Sequence, residues 1–337
     1  MVFGRAVVLA AVGLACLASV VSAMSFLAMG DWGGAPAPFY HTPGQRQAAE
    51  GMGKVASDIK ATFVLAVGDN FYFSGVDDVG SSRFEKTWRN VYNAPSLQQI
   101  PFYVIAGNHD HKGNVSAQIA YTKVDPTKSW VFPDFYHKQQ FTDENGVTLD
   151  VILIDTVQLC DMNQAEDESV AGYFDPLPLK FKTFTSTSAD QWNWIESEMA
   201  ASKADYLLVA GHFPVYSVCE HGPTQTLIEH LKPLLEKYGA SYISGHDHCM
   251  NHFQEGSTAY ILTGLGDTCC YSASNLNNAA IPADALKWYV ARGHKPWNLI
   301  GGFTSFTLDS QAMQINYHDG KGDVLFKADP VPKRKLA

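Results

Sequence analysis

Basic residues are scarce in this sequence. Among 337 residues there are 24 Lys and Arg against 34 Asp and Glu, a formal net charge of −10. That balance argues against a nucleic-acid partner held through a basic face. The dense basic run, Lys333-Arg334-Lys335, reads as a solvated tail. Cysteine is sparse and no CxxC pair occurs, so a zinc site of that type has no support. Beyond the N-terminus no apolar run reaches the roughly 20 residues a membrane span needs. No internal repeat is visible, which removes a solenoid or propeller.

What is present looks globular. Hydrophobic residues make up 46% and charged residues 17%, enough apolar mass for a large core. Residues 1–23 read as a secretory leader, with Arg5 at its positive start, an apolar stretch over 6–21, and Val21-Ser22-Ala23 as a small-residue cleavage site. Residues 24–337 then form one domain in an oxidising compartment. Asn114-Val115-Ser116 becomes a glycosylation acceptor there. Loss of Cys16 leaves Cys160, Cys219, Cys249, Cys269 and Cys270, an odd set, so at least one thiol stays free or pairs between chains.

Short apolar runs at 25–29, 63–67, 102–105, 151–154, 206–210 and 242–244 read as buried strands. Helical patterns lie between them at about 45–59, 82–92, 189–201 and 224–238, the third opened by a Ser188/Gln191 capping box. This alternation predicts an α/β fold. Later strands at 260–263, 303–308, 313–317 and 324–327 have no helices between them and suit an antiparallel part or a second sheet. The stretch from Asp161 to Ser188 fits no element and is acidic in its first half, as a functional or solvated loop would be.

Five glycine-led segments sit where these strands end: Gly30-Asp31, Gly68-Asp69-Asn70-Phe71-Tyr72, Gly107-Asn108-His109-Asp110-His111, Gly211-His212 and Gly245-His246-Asp247-His248. In open α/β sheets, sites gather beyond the carboxyl ends of strands. A glycine before each donor lets the backbone turn sharply there. Each segment alone has a bland reading: Asp31 as a helix cap, His212 as a core histidine, Tyr72 as a core aromatic. Their joint occurrence in order points to one converging site of oxygen and nitrogen donors for two metal ions.

These segments resemble the signature of the metallophosphoesterase (calcineurin-like) superfamily. Within it the sequence is similar to the mammalian-type purple acid phosphatases, also called tartrate-resistant acid phosphatases. Asn114 to Tyr121, His212 to Ser217 and Glu220 to Thr224 carry that closer likeness, which spans most of the chain after the leader. The resemblance implies a single-domain sandwich of two mixed sheets flanked by helices. It implies that Asp31, Asp69, Tyr72 and His248 bind Fe(III), and that Asp69, Asn108, His212 and His246 bind a divalent iron, zinc or manganese, with Asp69 bridging. His109 and His221 would face the substrate phosphate as catalytic residues. Tyr72 is the subfamily mark, since a phenolate on Fe(III) gives these enzymes their purple colour.

That ligand set makes chemical sense, because hard oxygen donors suit a trivalent ion and imidazoles suit a divalent one. The anionic donors only part-cancel the two cations, which leaves a trap for phosphate in an acidic protein. The expected function is a secreted or lysosome-like acid phosphatase, monomeric, hydrolysing phosphate monoesters by attack of hydroxide held at the metals. The alternatives are a phosphodiesterase on the same scaffold and a secreted iron-binding protein. His111 and Asp247 are read as outer hydrogen-bonding support. His41, His137, His230, His252, His294 and His318 are read as structural or surface residues.

Cys160 matches a cysteine the relatives carry. Their partner cysteine falls at Thr226 here, and Cys219 is the nearby replacement, so a Cys160–Cys219 bridge is one expectation and an unbridged Cys160 the other. The acidic stretch after Cys160 corresponds in position to the relatives' repression loop, and is expected to act as a lid over the positive site.

Overall fold

The computed structural model describes residues 23–160 and 186–335. The expected leader, up to its last residue, and the acidic segment through residue 185 lie outside the described residues. In chain order come β1 (Met24–Met29), α1 (Pro43–Ile59), β2 (Val64–Val67), α2 (Pro95–Gln98), β3 (Phe102–Ile105), α3 (Asn108–His111), α4 (Val115–Val124) and β4 (Trp130–Val131). Then follow β5 (His137–Thr142), β6 (Thr148–Leu153), α5 (Thr156–Leu159), α6 (Ser188–Ala201), β7 (Tyr206–Ala210), α7 (Gln225–Tyr238) and β8 (Ser241–Ser244). The chain closes with β9 (Met250–Glu255), β10 (Thr258–Thr263), β11 (Leu286–Val290), β12 (Gly302–Leu308), β13 (Ala312–Asp319), β14 (Val324–Lys327) and β15 (Val331–Pro332).

The strands form two mixed sheets. The first runs β14-β13-β12-β1-β2-β3-β4, with β15 beside β13; the second runs β11-β9-β10-β8-β7-β6-β5. β1, β2, β3 and β4 are parallel, as are β6, β7, β8 and β10. The late strands divide as the sequence allowed: β12 to β14 extend the first sheet antiparallel, while β10 joins the second.

The near-continuous apolar runs have a simple cause: the central strands are covered on both faces. In β1, Phe26 and Ala28 point into the core between the sheets, while Leu27 and Met29 point outward beneath α1. The inner core joins Phe26, Leu65, Val67 and Ile105 of the first sheet to Leu149, Val151, Leu208 and Ile243 of the second. Outside the first sheet, Trp32, Phe71, Phe84, Trp88 and Trp130 pack as an aromatic cluster. Outside the second, Ile195 and Met199 of α6 and Leu227, Leu231 and Leu235 of α7 bury their helix faces. Truncating one such leucine to alanine should cost about 2–5 kcal/mol.

Local signals set the ends of the helices. The Thr42 side chain accepts from the Gln45 amide, Pro43 occupies the first turn of α1, and α7 stops at the left-handed Gly239. The α6 capping box lies one residue earlier than the sequence suggested, with Thr187 and Asp190 reciprocally bonded. Gln191 is not available for that box. It is buried, and its side chain binds the Asp155 backbone on both sides. The expected helix over 82–92 is a π-helical turn at Phe84–Arg89.

Candidate metal centre

Each sheet delivers its polar loops to the same end of the sandwich. Asp31 follows β1, Asp69 and Tyr72 follow β2, and Asn108 and His109 open α3 after β3. Across the seam, His212 follows β7, and His246 and His248 follow β8. The loops touch closely enough to need glycine. A Cβ on Gly30 would lie 2.9 Å from the Gly245 Cα, and one on Gly68, whose φ is +92°, would lie 2.6 Å from His212 Nδ1.

Three donor residues themselves hold left-handed backbones: Asp31 at φ 58°, Asp69 at φ 54° and His246 at φ 73°. Such conformations cost on the order of 1–3 kcal/mol each and cluster at functional sites.

The side chains converge. Carboxylate oxygens of Asp31 and Asp69 and a ring nitrogen of His212 lie within 4.8 Å of one another. His212 Nε2 is 3.4 Å from Asp69 Oδ1 and 3.1 Å from Asn108 Oδ1. His212 Nδ1 donates to the Val67 carbonyl at 2.9 Å, which aims the Nε2 lone pair into the cluster. The Tyr72 hydroxyl stands 3.2 Å from Asp31 Oδ1 and 2.9 Å from His248 Nε2, and His248 Nε2 is 3.7 Å from Asp31 Oδ1. The His246 amide donates to Asp31 Oδ2 at 2.7 Å, and its ring lies 5.2 Å from that of His212.

The two remaining histidines border this cluster, His109 beside Asp69 and His221 against His246. The His109 amide donates to Asp69 Oδ1 at 3.0 Å, and its Nδ1 donates to the Phe73 carbonyl at 2.8 Å. His109 Nε2 therefore faces the site, 3.9 Å from Asp69 Oδ2. The ring of His221 stacks on that of His246 at 4.0 Å, and its amide donates to Asp247 Oδ1 at 3.0 Å.

Electrostatics make the cluster hungry for cations. Asp31 and Asp69 are 0% and 2% exposed, and among the described residues neither is ion-paired with a lysine or arginine. Burial, with Asp69 nearby, pushes the Asp31 carboxyl well above its usual range. Burial would raise Asp69 as well, but His212 and His109 outweigh it and hold its pKa low. Burial acts against the charged form of His212, yet Asp69 and Asp31 lift it to about 9. Burial lowers His248 to about 3, and burial, helped by His221, holds His246 well below the usual imidazole range. The Tyr72 phenol is pushed up by burial and then by Asp31 and Asp69. A multivalent cation inverts this logic, stabilising carboxylates and a phenolate and using neutral imidazoles as ligands. Buried acids without a lysine or arginine partner, beside His246 and His248 imidazoles that burial favours as neutral, are donor chemistry that suits such ions.

A supporting shell went unassigned in the sequence reading. Asn70 accepts from Trp32 Nε1 at 3.0 Å and donates to the Ile105 carbonyl and Gln118 Oε1. Asp110 accepts from the amides of Asn70 and Gly107 and from Gln118 Nε2. Buried Arg83 donates to the backbone carbonyls of Gly33 and Tyr72, tying the Asp31 loop to the Asp69 loop. Asn70 and Asp110 stand inside motifs, which was the available signal; Arg83 had none. His111 binds Asp155 Oδ2 at 2.8 Å. Among the other histidines, His137 bonds Val104, His252 bonds Tyr317 and His318 bonds Ser305, all away from the cluster.

The cysteines correct one expectation. Cys219 pairs with Cys249, and Cys269 with Cys270, while Cys160 is a buried free thiol. No Cys160–Cys219 bridge forms, because Cys219 leads into the His221 loop and meets the residue that follows His248.

The sequence profile of the Calcineurin-like phosphoesterase family matches residues 24–250. The chain belongs to the calcineurin-like phosphoesterases. Its relatives include "Tartrate-resistant acid phosphatase type 5" of Rattus norvegicus, 36% identical over 95% of this chain and 94% of the relative. The human protein of the same name is 36% identical, covering 93% and 92%. "Purple acid phosphatase 7" of Arabidopsis thaliana is 30% identical, covering 90% and 85%. The phosphoesterase also shares its fold with GAP50, described as the anchor in the inner membrane complex of Plasmodium, at TM-score 0.74 and 24% identity over 93% of this chain and 90% of that one.

Proposed function

We propose that this phosphoesterase is an acid phosphatase acting on phosphate monoesters at a site for two metal ions. The observation that carries the reading is the buried cluster of two acids without a lysine or arginine partner, a phenol, an amide and imidazoles at the carboxyl end of both sheets. The names of the relatives, acid phosphatases similar to this chain almost end to end, support it.

In this reading Asp31, Asp69, Tyr72 and His248 would hold a ferric ion, and Asp69, Asn108, His212 and His246 a divalent iron, zinc or manganese, with Asp69 shared. Such a pair supplies an acidified water and a clamp on the attacking and leaving oxygens. The chain's own residues do the rest. The fixed backbones of Asp31, Asp69 and His246 hold their side chains without reorganisation on substrate binding. His109, with one proton committed to the Phe73 carbonyl, offers Nε2 to the phosphate. Burial lowers the His109 pKa while Asp69 opposes that fall, so Nε2 takes up its second proton in acid and can pass it to a leaving oxygen. His221, stacked on His246, would line the same phosphate site. With its leader, the protein would work in an acidic compartment of the secretory pathway or outside the cell.

The test is metal analysis and a visible spectrum of the purified protein, with monoester and diester turnover before and after chelation. Two ions per chain, iron among them, a purple band and preference for the monoester support the reading. Two zinc ions and no colour would remove the ferric part; faster diester turnover would reassign the substrate.

A further inference from the structure

Tyr271 lies outside every motif described above, yet it touches two site histidines. Its ring stacks on His248 at 4.6 Å with planes 13° apart, and meets His221 edge-on at 5.4 Å and 72°. We propose that Tyr271 is a positioning residue, a ring wedged between His248 and His221 that fixes the first toward the metal donors and the second toward the bound phosphate. The inference rests on the two-metal phosphatase reading, and names a part of that site which the ligand signature does not contain.

The ring is held from both sides. The Tyr271 amide donates to the His248 carbonyl at 2.9 Å, and the Arg292 amide donates to the Tyr271 carbonyl at 2.7 Å. Arg292 Nε also donates to the carbonyl of Cys270, whose sulfur is bonded to its neighbour Cys269. On the other side, the Ser272 amide and hydroxyl both donate to Glu220 Oε1 at 2.9 Å, next to His221. Asn275 donates to the Cys219 carbonyl at 2.6 Å and, through its amide, to the Val218 carbonyl at 2.9 Å. Segment 269–275 is thus zipped to the turn carrying His248 and to the loop carrying His221. The Cys219–Cys249 bridge joins those two loops directly.

An imidazole stacked on a flat aromatic has little freedom to rotate about its own bonds. Aromatic pairs in this geometry add about 0.5–1.5 kcal/mol beyond the area they bury. Displacing a catalytic group by about 1 Å can cost on the order of a hundredfold in rate. The ring's plane, not its hydroxyl, is therefore the feature that matters.

Two substitutions separate these roles. Tyr271→Phe keeps the plane and should leave metal affinity and kcat near wild type. Tyr271→Leu keeps bulk without the plane; it should weaken Zn2+ binding by about 10–100-fold, the scale for groups supporting a metal ligand. With a phosphate monoester its kcat should fall while KM changes little. A general packing loss would instead lower thermal stability and leave this kcat-against-KM split absent. Equal losses in both variants, or wild-type behaviour of Tyr271→Leu, would overturn the proposal. If the wild type binds no metal, the phosphatase reading fails by itself. Tyr271 is then judged in metal-free protein, by carbethoxylation of histidines mapped by mass spectrometry. His221 and His248 should react faster in Tyr271→Leu than in Tyr271→Phe, with His109 as the internal reference; unchanged rates would refute the wedge.

Discussion

The two sheets contribute unlike chemistry to one site. The first sheet's strands end in oxygen donors: the carboxylates of Asp31 and Asp69, the phenol of Tyr72 and the amide of Asn108. The second sheet's strands end in nitrogen donors: the imidazoles of His212, His246 and His248. The division teaches how a site without flexible basic residues can still be assembled. Two rigid layers, joined by a shared apolar core, bring hard and softer ligands face to face across the seam. Removing a donor from one layer should therefore not have the same consequence as removing one from the other.

Asp69 gives the largest contrast, because it is the donor proposed to be shared by both ions and lies against His212 and the His109 amide. Asp69→Asn should remove both ions and lower turnover by at least about 10²-fold, the scale of losing one preorganised electrostatic group. His212→Ala, from the second sheet, should release the divalent ion and spare the other. Metal counts per chain decide it, and two ions retained in Asp69→Asn would end the bridging assignment.

The Cys219–Cys249 bridge tests whether the second layer needs an internal staple that the first does without. Its ends are separated by 30 residues, for which loop closure suggests about 3–4 kcal/mol of stabilisation. A Cys219→Ala, Cys249→Ala double variant should lose that much in denaturant unfolding. It should also lose turnover through His221, while Tyr72 and its visible band stay as they were.

Tyr72 sharpens the first layer's side of the contrast. Tyr72→Phe should abolish any visible band while both ions remain bound, with turnover falling by no more than about tenfold, the low end for altered metal surroundings. A band that survives would have to come from another ligand.

How much of this contrast could be read from residues alone follows from the physics of each part. The donors were legible because glycine and donor recur at strand ends, and the end of a buried parallel strand is a place sequence can mark. Strands β5 and β9 were not, since His137–Thr142 and Met250–Glu255 are polar and belong to the periphery of the second sheet. The Asn70–Asp110–Gln118 network and the Arg83 tie depend on neighbours distant in sequence. Disulfide connectivity was equally hidden, because spacing does not choose among five cysteines. Nothing in the sequence marks Tyr271, because its significance lies in a ring placed against two histidines far away in the chain.

Stability in acid carries the smallest expected effect. His137 and His252 belong to the second sheet, and burial pushes each down to about 4. Their unfolded value is about 6.5, so the unfolded chain binds more protons between those values. The stability they contribute is complete above about pH 6.5 and is lost as pH falls through about 4. Asp267, which binds Thr42 at the start of α1, behaves oppositely, since burial lifts it to about 7. Its folded form holds the extra proton, so its contribution is complete below about pH 4 and is lost as pH rises toward 7. At about 1.4 kcal/mol per pKa unit, the shifts correspond to about 3 kcal/mol for each histidine and about 4 kcal/mol for Asp267. Melting curves from pH 4 to 7 should thus flatten on the acid side for His252→Asn and on the neutral side for Asp267→Asn. If both variants shift the curve in the same direction, the opposed titrations of these buried groups are wrong, and the acid tolerance needed by a phosphatase of this kind must reside elsewhere in the fold.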